Sequence, residues 1–220
     1  IHEYFLRYDY HKTMTSIEVW KCFQRIAATA WQSQIKPDRV TLGEIAEALK
    51  LFYRLLIPLH VPIPPTDLIH SSSASYCGLP GVVGKIKHGL PYLLTEHGIN
   101  IREQYLNLRT SIPSIFVRRF LHYLASATVK LNYHFADIIS PVCSYNTRWE
   151  KWWDVAPEKI KVIHNGVDPQ KFKPQNYEPN SHPVVMNMGL IFALKGQLTL
   201  IEAAAIVRDK FPAVEFRFYG

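Results

Sequence analysis

Hydrophobic periodicity in the first sixty residues predicts two amphipathic helices. Thr15 and Glu18 stand three residues apart before the first periodic stretch, a spacing that indicates a capping box at a helix start. Thr41 and Glu44 repeat that spacing before the second stretch. Its apolar residues recur at intervals of three and four and therefore share one helical stripe: Ile45, Ala48, Leu49, Phe52, Leu55 and Leu56. Pro58 is expected to end the second helix.

Short apolar runs then alternate with helical patterns as far as residue 163. The predicted strands are residues 67–70, 91–95, 136–141 and 161–163, and the predicted helices are residues 74–88, 101–109, 111–134 and 146–153. This alternation predicts βαβ units and a parallel sheet, so the fold class is α/β. Gly78, Gly81 and Gly84 weaken the helix at 74–88. They indicate close backbone packing or a ligand at the helix start, and a loose loop is the alternative.

A change in pattern after residue 168 predicts a second domain. Residues 169–183 are polar, contain four prolines and show no apolar period, which is typical of a linker. A strand at 184–188, a helix at 198–207 and a strand at 214–218 follow. We therefore expect an N-terminal domain at residues 1–168, a linker at 169–183 and the start of a C-terminal domain at 184–220. A first residue other than Met and a last strand that ends at Gly220 suggest a piece of a longer protein.

Composition and charge narrow the classes of function. With 48% hydrophobic and 20% charged residues the chain is an ordinary globular protein. Its formal charge of +7 comes from scattered Lys and Arg with no basic run, which argues against nucleic acid and favours phosphorylated small molecules or an anionic membrane face. Three widely spaced cysteines indicate neither a zinc site nor a disulfide framework. Without an apolar stretch of about 18 residues, we expect a cytoplasmic protein.

The candidate chemistry gathers at the predicted strand ends. His70 and His97 each close a parallel strand, so both should face the crevice at the carboxyl edge of the sheet, where a histidine can donate a hydrogen bond or a proton. Glu96, Arg102 and Glu103 accompany His97. Glu96 has an alternative interpretation as a helix-capping acceptor, and Arg102 with Glu103 as a surface ion pair.

Two further features suit a bound diphosphate and a chain reversal. Lys195 precedes Gly196 and a predicted helix, and a lysine at a helix N-terminus can hold phosphate. Asn165 and Gly166 favour positive φ and predict a sharp turn. The chain lacks DxD and HExxH patterns for a metal and a GxSxG elbow for a serine nucleophile.

The order of these motifs resembles a known enzyme family. The segments DLIHS, YCGLPG, GLPYLLTEHGINIRE, FADIIS and PEKIKVIHNGVDPQKFKP, followed by a strand, Gly189, Lys195-Gly196 and LIEA, are similar to the retaining GT-B glycosyltransferases of family four. TEHGI with a charged helix start looks like the branch that polymerises Pel-type bacterial exopolysaccharide. The likeness spans about residues 60–220.

The resemblance implies two Rossmann-like domains that face across a cleft. It further implies transfer of a hexosyl unit from a UDP-sugar or another nucleoside diphosphate sugar to a polysaccharide acceptor, with retention of configuration and without a metal or cofactor. His97 matches the catalytic histidine that contacts the transferred sugar, and His70, Glu96, Arg102 and Glu103 would line the acceptor side. On the donor side the matching residues are Gly189, Lys195, Asn165 and Gly166. Export machinery at the inner face of a membrane is an implied partner.

Three departures keep a second interpretation open. Leu190 follows Gly189 where the family usually has arginine, the acidic pair expected on the donor side would lie beyond Gly220, and the Gly-rich loop expected in the first domain is missing or would precede Ile1. Residues 1–220 are therefore expected to be inactive alone. The rival is a degenerate GT-B scaffold that binds sugar or a partner protein. A binder of nucleic acid or phosphoprotein, drawn by the positive charge, is a third.

Overall fold

The computed structural model describes residues 1–33, 39–173, 178 and 180–220. The chain forms two compact units, Ile1–Gly166 and Val167–Gly220. Residues 174–177 and 179 of the predicted linker lie outside the described residues.

The first unit contains most of the regular structure. Its helices are α1 (His2–Arg7), α2 (Tyr10–Met14), α3 (Ile17–Gln32), α4 (Leu42–Leu55), α5 (Leu79–His88), α6 (Asn100–Ser111), α7 (Ile115–Phe135) and α8 (Thr147–Trp152). Its strands are β1 (Ile69–Ser71), β2 (Tyr92–Glu96) and β3 (Ile138–Pro141). Short 3₁₀ turns lie at Ile57–His60, Tyr76–Gly78 and Pro157–Lys159.

The three strands form a parallel sheet in the order β1–β2–β3. Helices α5 and α7 connect consecutive strands, which confirms the α/β class and agrees with a Rossmann-like fold. The fourth strand predicted at 161–163 is present only as a short extended pairing with β3, not as a regular strand of the sheet. That segment makes one bridge from Ile160 to Ile139 and hydrogen bonds from Lys161 N and Ile163 N to β3 carbonyls. Because residues 161–168 are all exposed, no buried face holds a fourth strand in place.

Helix α7 joins two hydrophobic cores. Its first half contributes Phe116 and Val117 to a core with α3 and α4, and its second half contributes Val129 and Tyr133 to the core against the sheet. Leu94 of β2, with no exposed surface, lies at the centre of the sheet core. The helical N-terminal segment and the sheet are therefore one folded unit that shares a single long helix.

The capping prediction is right for α4 and wrong for α3. Glu44 N donates to Thr41 Oγ1 (3.2 Å) and Thr41 N donates to Glu44 Oε2 (2.8 Å), which is the predicted capping box. Helix α3 is instead capped by Ser16, whose Oγ accepts from Val19 N. Thr15 belongs to the end of α2, where its hydroxyl donates to His11 O at 2.7 Å.

All three glycines in the helix predicted at 74–88 allow close packing, and a Cβ on Gly84 would lie 2.3 Å from Ile69 Cδ1. A Cβ on Gly78 would lie 1.9 Å from Asn132 Oδ1, and one on Gly81 would lie 2.4 Å from Tyr92 Cε2. Tyr92 is buried and donates its hydroxyl hydrogen to Asn132. Close backbone packing, rather than a loose loop, therefore accounts for these glycines. Gly78 closes the short 3₁₀ turn, so the helix itself begins at Leu79.

The second unit has a smaller parallel sheet. Strands β4 (Val184–Met188) and β5 (Glu215–Tyr219) pair in parallel, and α9 (Gln197–Lys210) connects them. The second predicted α/β segment is thus present, although no described residue from 167 onward is buried. None of the described helices in either unit is long and apolar enough to cross a membrane.

We expect Gly81→Ala to destabilise the protein by about 1–3 kcal/mol, because its new methyl group must displace the buried Tyr92 ring. Gly43→Ala is the matched control. A Cβ there meets nothing closer than 3.8 Å, so at this exposed position of α4 the stability should be unchanged or rise by up to about 1 kcal/mol. Urea unfolding of both variants measures the two free energies. Equal effects at the two positions would contradict the packing account.

Candidate functional site

Near the carboxyl edge of the first sheet, His97 directly follows β2, whereas His70 does not close its strand as predicted but is the middle residue of β1, opposite Leu93. His70 Nε2 contacts Thr95 Oγ1 at 2.9 Å, which links β1 to the end of β2. Both imidazoles are exposed. The edge is the carboxyl end of two adjacent parallel strands, the usual place for a ligand in an open α/β sheet.

Glu96, the last residue of β2, is fully buried. It does not line a cleft, contrary to the prediction, because its side chain turns into the core below the His97 turn. Tyr133 of α7 donates its hydroxyl hydrogen to Glu96 Oε2 at 2.7 Å. The alternative capping role is also wrong, since α6 begins after Ile99 without any side-chain cap.

A second buried carboxyl group meets Glu96. Glu150 of α8 has no exposed surface and lies in side-chain contact with Glu96. Among the described residues, no hydrogen-bond donor reaches either Glu150 oxygen or Glu96 Oε1, and neither carboxyl group forms a salt bridge. Two ionised carboxylates in that position would repel each other in a medium of low polarity.

We infer that the two carboxyl groups share a proton. Burial raises the pKa of Glu96 and of Glu150 above the ordinary value of 4.5, and the charge of Glu150 raises the pKa of Glu96 further. With one proton between them, one carboxyl group can donate to the other, which gives a partner to two of the three unpartnered oxygens. Burial and the nearby Glu96 charge also raise the pKa of Tyr133, so its phenol stays neutral as a donor.

Sequence reasoning found Glu96 but missed Glu150 and Tyr133. Glu150 lies in the segment TRWEKW, where a charged residue between a tryptophan and a lysine is typical of an exposed position. Tyr133 resembles an ordinary core aromatic in the apolar period of α7. The pairing of β2 with β3 places Glu96 opposite Pro141, and α8, which carries Glu150, is the next element after β3 in the chain.

Glu103 and Arg102 occupy the start of α6, above the buried pair. A Cβ on Gly98 would lie 2.3 Å from Glu103 Oε1, so the Glu103 carboxylate rests against the turn that carries His97. Its charge contributes to the raised pKa of Glu96. Arg102 is exposed and, within the described residues, forms no ion pair with Glu103 or any other carboxylate.

The second unit brings Gly189 and Lys195 together. Gly189 follows β4, and Lys195 Cδ lies 4.0 Å from where a Cβ on Gly189 would stand. Lys195 is exposed at the end of a 3₁₀ turn, and Gly196 then takes a left-handed conformation (φ 68°) that starts α9. Leu190, in the same loop, is 73% exposed. An exposed cation therefore lies beside the N-terminus of a long helix.

Asn165 and Gly166 lie at the end of the first unit, and the turn predicted there is wrong. Both are exposed and neither has positive φ. The preceding residues continue alongside β3 instead, since Ile163 N donates to Pro141 O and His164 Nδ1 contacts Val142 O at 3.0 Å. These contacts hold the backbone extended. The four predicted donor residues therefore belong to two different units.

Comparison with known proteins assigns the chain to one family. Residues 2–158 match the family model described as "Domain of unknown function (DUF3492)", so the chain belongs to that family. The match covers the helical segment, the three-stranded sheet and the buried carboxyl pair. No curated protein matches the chain. In the part of the chain that the structure describes, no group of three or more His, Cys, Asp or Glu could hold a metal ion.

We expect Glu150→Gln to make the protein more stable at neutral and alkaline pH. In the unfolded chain both carboxyl groups lose their protons near the ordinary pKa of 4.5, whereas in the folded protein the pKa of the pair is raised. The free energy of unfolding of the wild type should therefore fall as the pH increases from about 4.5 through neutrality. The amide of the variant carries no charge and can donate to Glu96 at any pH. The gain in unfolding free energy should be about 1 kcal/mol or more at pH 8, the value of one pKa unit, and smaller at pH 4.5.

The control for this prediction is Glu47→Gln, the same change at an exposed position of helix α4. Thermal or urea unfolding between pH 4.5 and pH 8 measures both variants against wild type. For the control, we expect a difference in unfolding free energy from wild type that does not change with pH. The same pH-independent difference for Glu150→Gln would contradict a shared proton.

Proposed function

We propose that the protein is a retaining, metal-independent GT-B hexosyltransferase. It would transfer a sugar from a nucleoside diphosphate donor to a growing bacterial exopolysaccharide at the cytoplasmic face of the inner membrane. In this proposal the first unit holds the acceptor and the second holds the donor. The family to which the chain belongs is associated with glycosyltransferase-like proteins, which supports the class of reaction.

The observation that carries the proposal is the exposed His97 at the carboxyl edge of a parallel sheet. It follows β2 directly, and Glu103 packs against the same turn. An imidazole at this edge can donate a hydrogen bond to a sugar hydroxyl and help orient the reacting ring. His70, held by Thr95, stands one strand away as a second polar contact for the acceptor.

The second unit offers the charge that donor cleavage requires. Breaking a bond between a sugar and a diphosphate develops negative charge on the leaving group, and fixed positive charge stabilises that transition state. Lys195 and the amides at the N-terminus of α9 supply such charge in one loop. Gly189 leaves room beside the Lys195 side chain.

The buried carboxyl pair has a positioning role in this scheme. Glu96 precedes His97, and its carboxyl group is fixed by Tyr133 and Glu150 from below. That contact limits the freedom of the turn without placing any carboxylate in contact with substrate. Orientation of a reacting group by a rigid support is a recognised source of rate enhancement.

A catalytically degenerate scaffold is the second candidate function, and Leu190 favours it. An exposed leucine occupies the loop where an arginine would add a second cation for the diphosphate. A binder of this kind would retain a nucleotide sugar or a partner protein without turnover. Release of free nucleoside diphosphate separates the two candidates.

We expect Lys195→Ala in the full-length protein to lower turnover by about 100-fold, the effect of losing roughly 3 kcal/mol of transition-state stabilisation. Nucleoside diphosphate released from a panel of nucleotide sugars measures the rate. Lys210→Ala, at the opposite end of α9, is the matched control and should keep wild-type activity. Unchanged turnover in Lys195→Ala would contradict the proposed donor site, and no nucleoside diphosphate release by wild type would favour the degenerate scaffold.

A further inference from the structure

A cavity between α6 and α7 collects three arginines that have no acidic partner among the described residues. Arg109 comes from the end of α6, and Arg118 and Arg119 come from the beginning of α7. The cavity measures about 270 Å³. It lies outside every residue set that the proposed transferase reaction uses.

Within the part of the chain that the structure describes, most of the N–H donors of these arginines have no partner. Arg118 donates one hydrogen bond, to the carbonyl oxygen of Arg109 at 3.3 Å, and the Arg119 guanidinium lies 5.4 Å from the centre of the Trp31 ring. No salt bridge of the described residues includes any of the three. Each guanidinium carries five N–H donors in a fork that matches a carboxylate or a phosphate.

The helix adds to this positive field. Arg118 and Arg119 are the fourth and fifth residues of α7, a 21-residue helix with no acidic residue in its first turn. The N-terminus of a helix carries partial positive charge and disfavours cations nearby. Glu44, which reaches the same helix start, accepts from the Ser114 hydroxyl (2.6 Å) and from Thr41, so it is committed to the two helix caps. The cavity is therefore a cationic site without a counterion from the described residues.

The remaining walls provide an apolar and aromatic surface. Leu108, Ile115 and Tyr105 line the cavity. The rings of Tyr105 and His122 pack edge to face, with 5.8 Å between their centres. His122 Nδ1 is buried and has no hydrogen-bond partner among the described residues. A ligand with one anionic group and a small ring would use both kinds of wall. The volume lies just below the range typical of drug-sized ligands, which suits a single sugar ring.

We infer that this cavity binds the anionic group of a sugar-sized molecule, a sugar phosphate or a sugar carboxylate, through Arg109, Arg118 and Arg119. Phosphate and carboxylate share the recognition chemistry, since both accept paired N–H donors from guanidinium. Binding at this cavity does not depend on transferase activity. A molecule that lacks the anion should bind poorly, because the three cations would stay unneutralised.

Calorimetric titration of the 220-residue chain tests the inference with four probes: glucose 6-phosphate, glucuronate, glucose and inorganic phosphate. We expect saturable binding of glucose 6-phosphate or glucuronate at millimolar concentration or below. The probe that binds more tightly shows whether the site prefers a sugar phosphate or a sugar carboxylate. Glucose should not bind measurably, and inorganic phosphate should bind more weakly than glucose 6-phosphate because it lacks the ring.

Arg118→Gln should weaken binding of the better probe by about tenfold or more, as loss of a hydrogen bond to a charged group does. Lys130→Gln, twelve residues further along α7, removes one positive charge outside the cavity and is the control. The melting temperature of unliganded Arg118→Gln should equal or exceed that of wild type, because one of three crowded cations is gone. A folded variant then makes any loss of binding specific to the site.

Several results would overturn the inference. They are binding of neither anionic sugar at millimolar concentration, equal binding of glucose and the anionic sugars, equal binding of inorganic phosphate and glucose 6-phosphate, and binding that Arg118→Gln leaves unchanged. A loss of affinity in Lys130→Gln as large as in Arg118→Gln would also overturn it, since net charge alone would then explain the attraction.

Discussion

The contact between Glu96 and Glu150 constrains the centre of the first unit. Both carboxyl groups are completely buried, and Tyr133 supplies the one protein donor that the described residues bring to them. The end of β2, the last turns of α7 and the short helix α8 must all meet correctly for the pair to share a proton. The exposed His97 turn rests directly on this arrangement, so the geometry of the candidate site follows from the buried pair.

Helix α7 transmits that constraint to the rest of the unit. It carries Tyr133 near its end, packs against the sheet through Val129, and enters the N-terminal helical core through Val117 and Phe116. The arginine cavity lies at its opposite end, against α6. One helix thus contacts both the buried acidic pair and the arginine cavity. The acidic pair is buried and protonated in part, whereas the arginines are near solvent and lack a counterion among the described residues.

The sequence predicted what depends on local pattern. The parallel sheet, the helix α4 with its Thr41 cap and the strand-end position of His97 follow from periodicity and turn chemistry. Features that require long-range packing were out of reach. Glu150 meets Glu96 across 54 positions of chain, and no spacing rule connects a residue of α8 with the end of β2. The expected turn at Asn165 failed because pairing with β3 overrides the local preference of Asn-Gly.

A carbon-13 NMR titration of the labelled glutamate carboxyl groups tests the shared proton most directly. Signals of Glu96 and Glu150 can be assigned by their loss in the two Glu→Gln variants. We expect the two signals to titrate together, with pKa values well above the ordinary value of 4.5 and one proton retained by the pair at neutral pH. Independent ionisation of both groups near 4.5 would contradict the account.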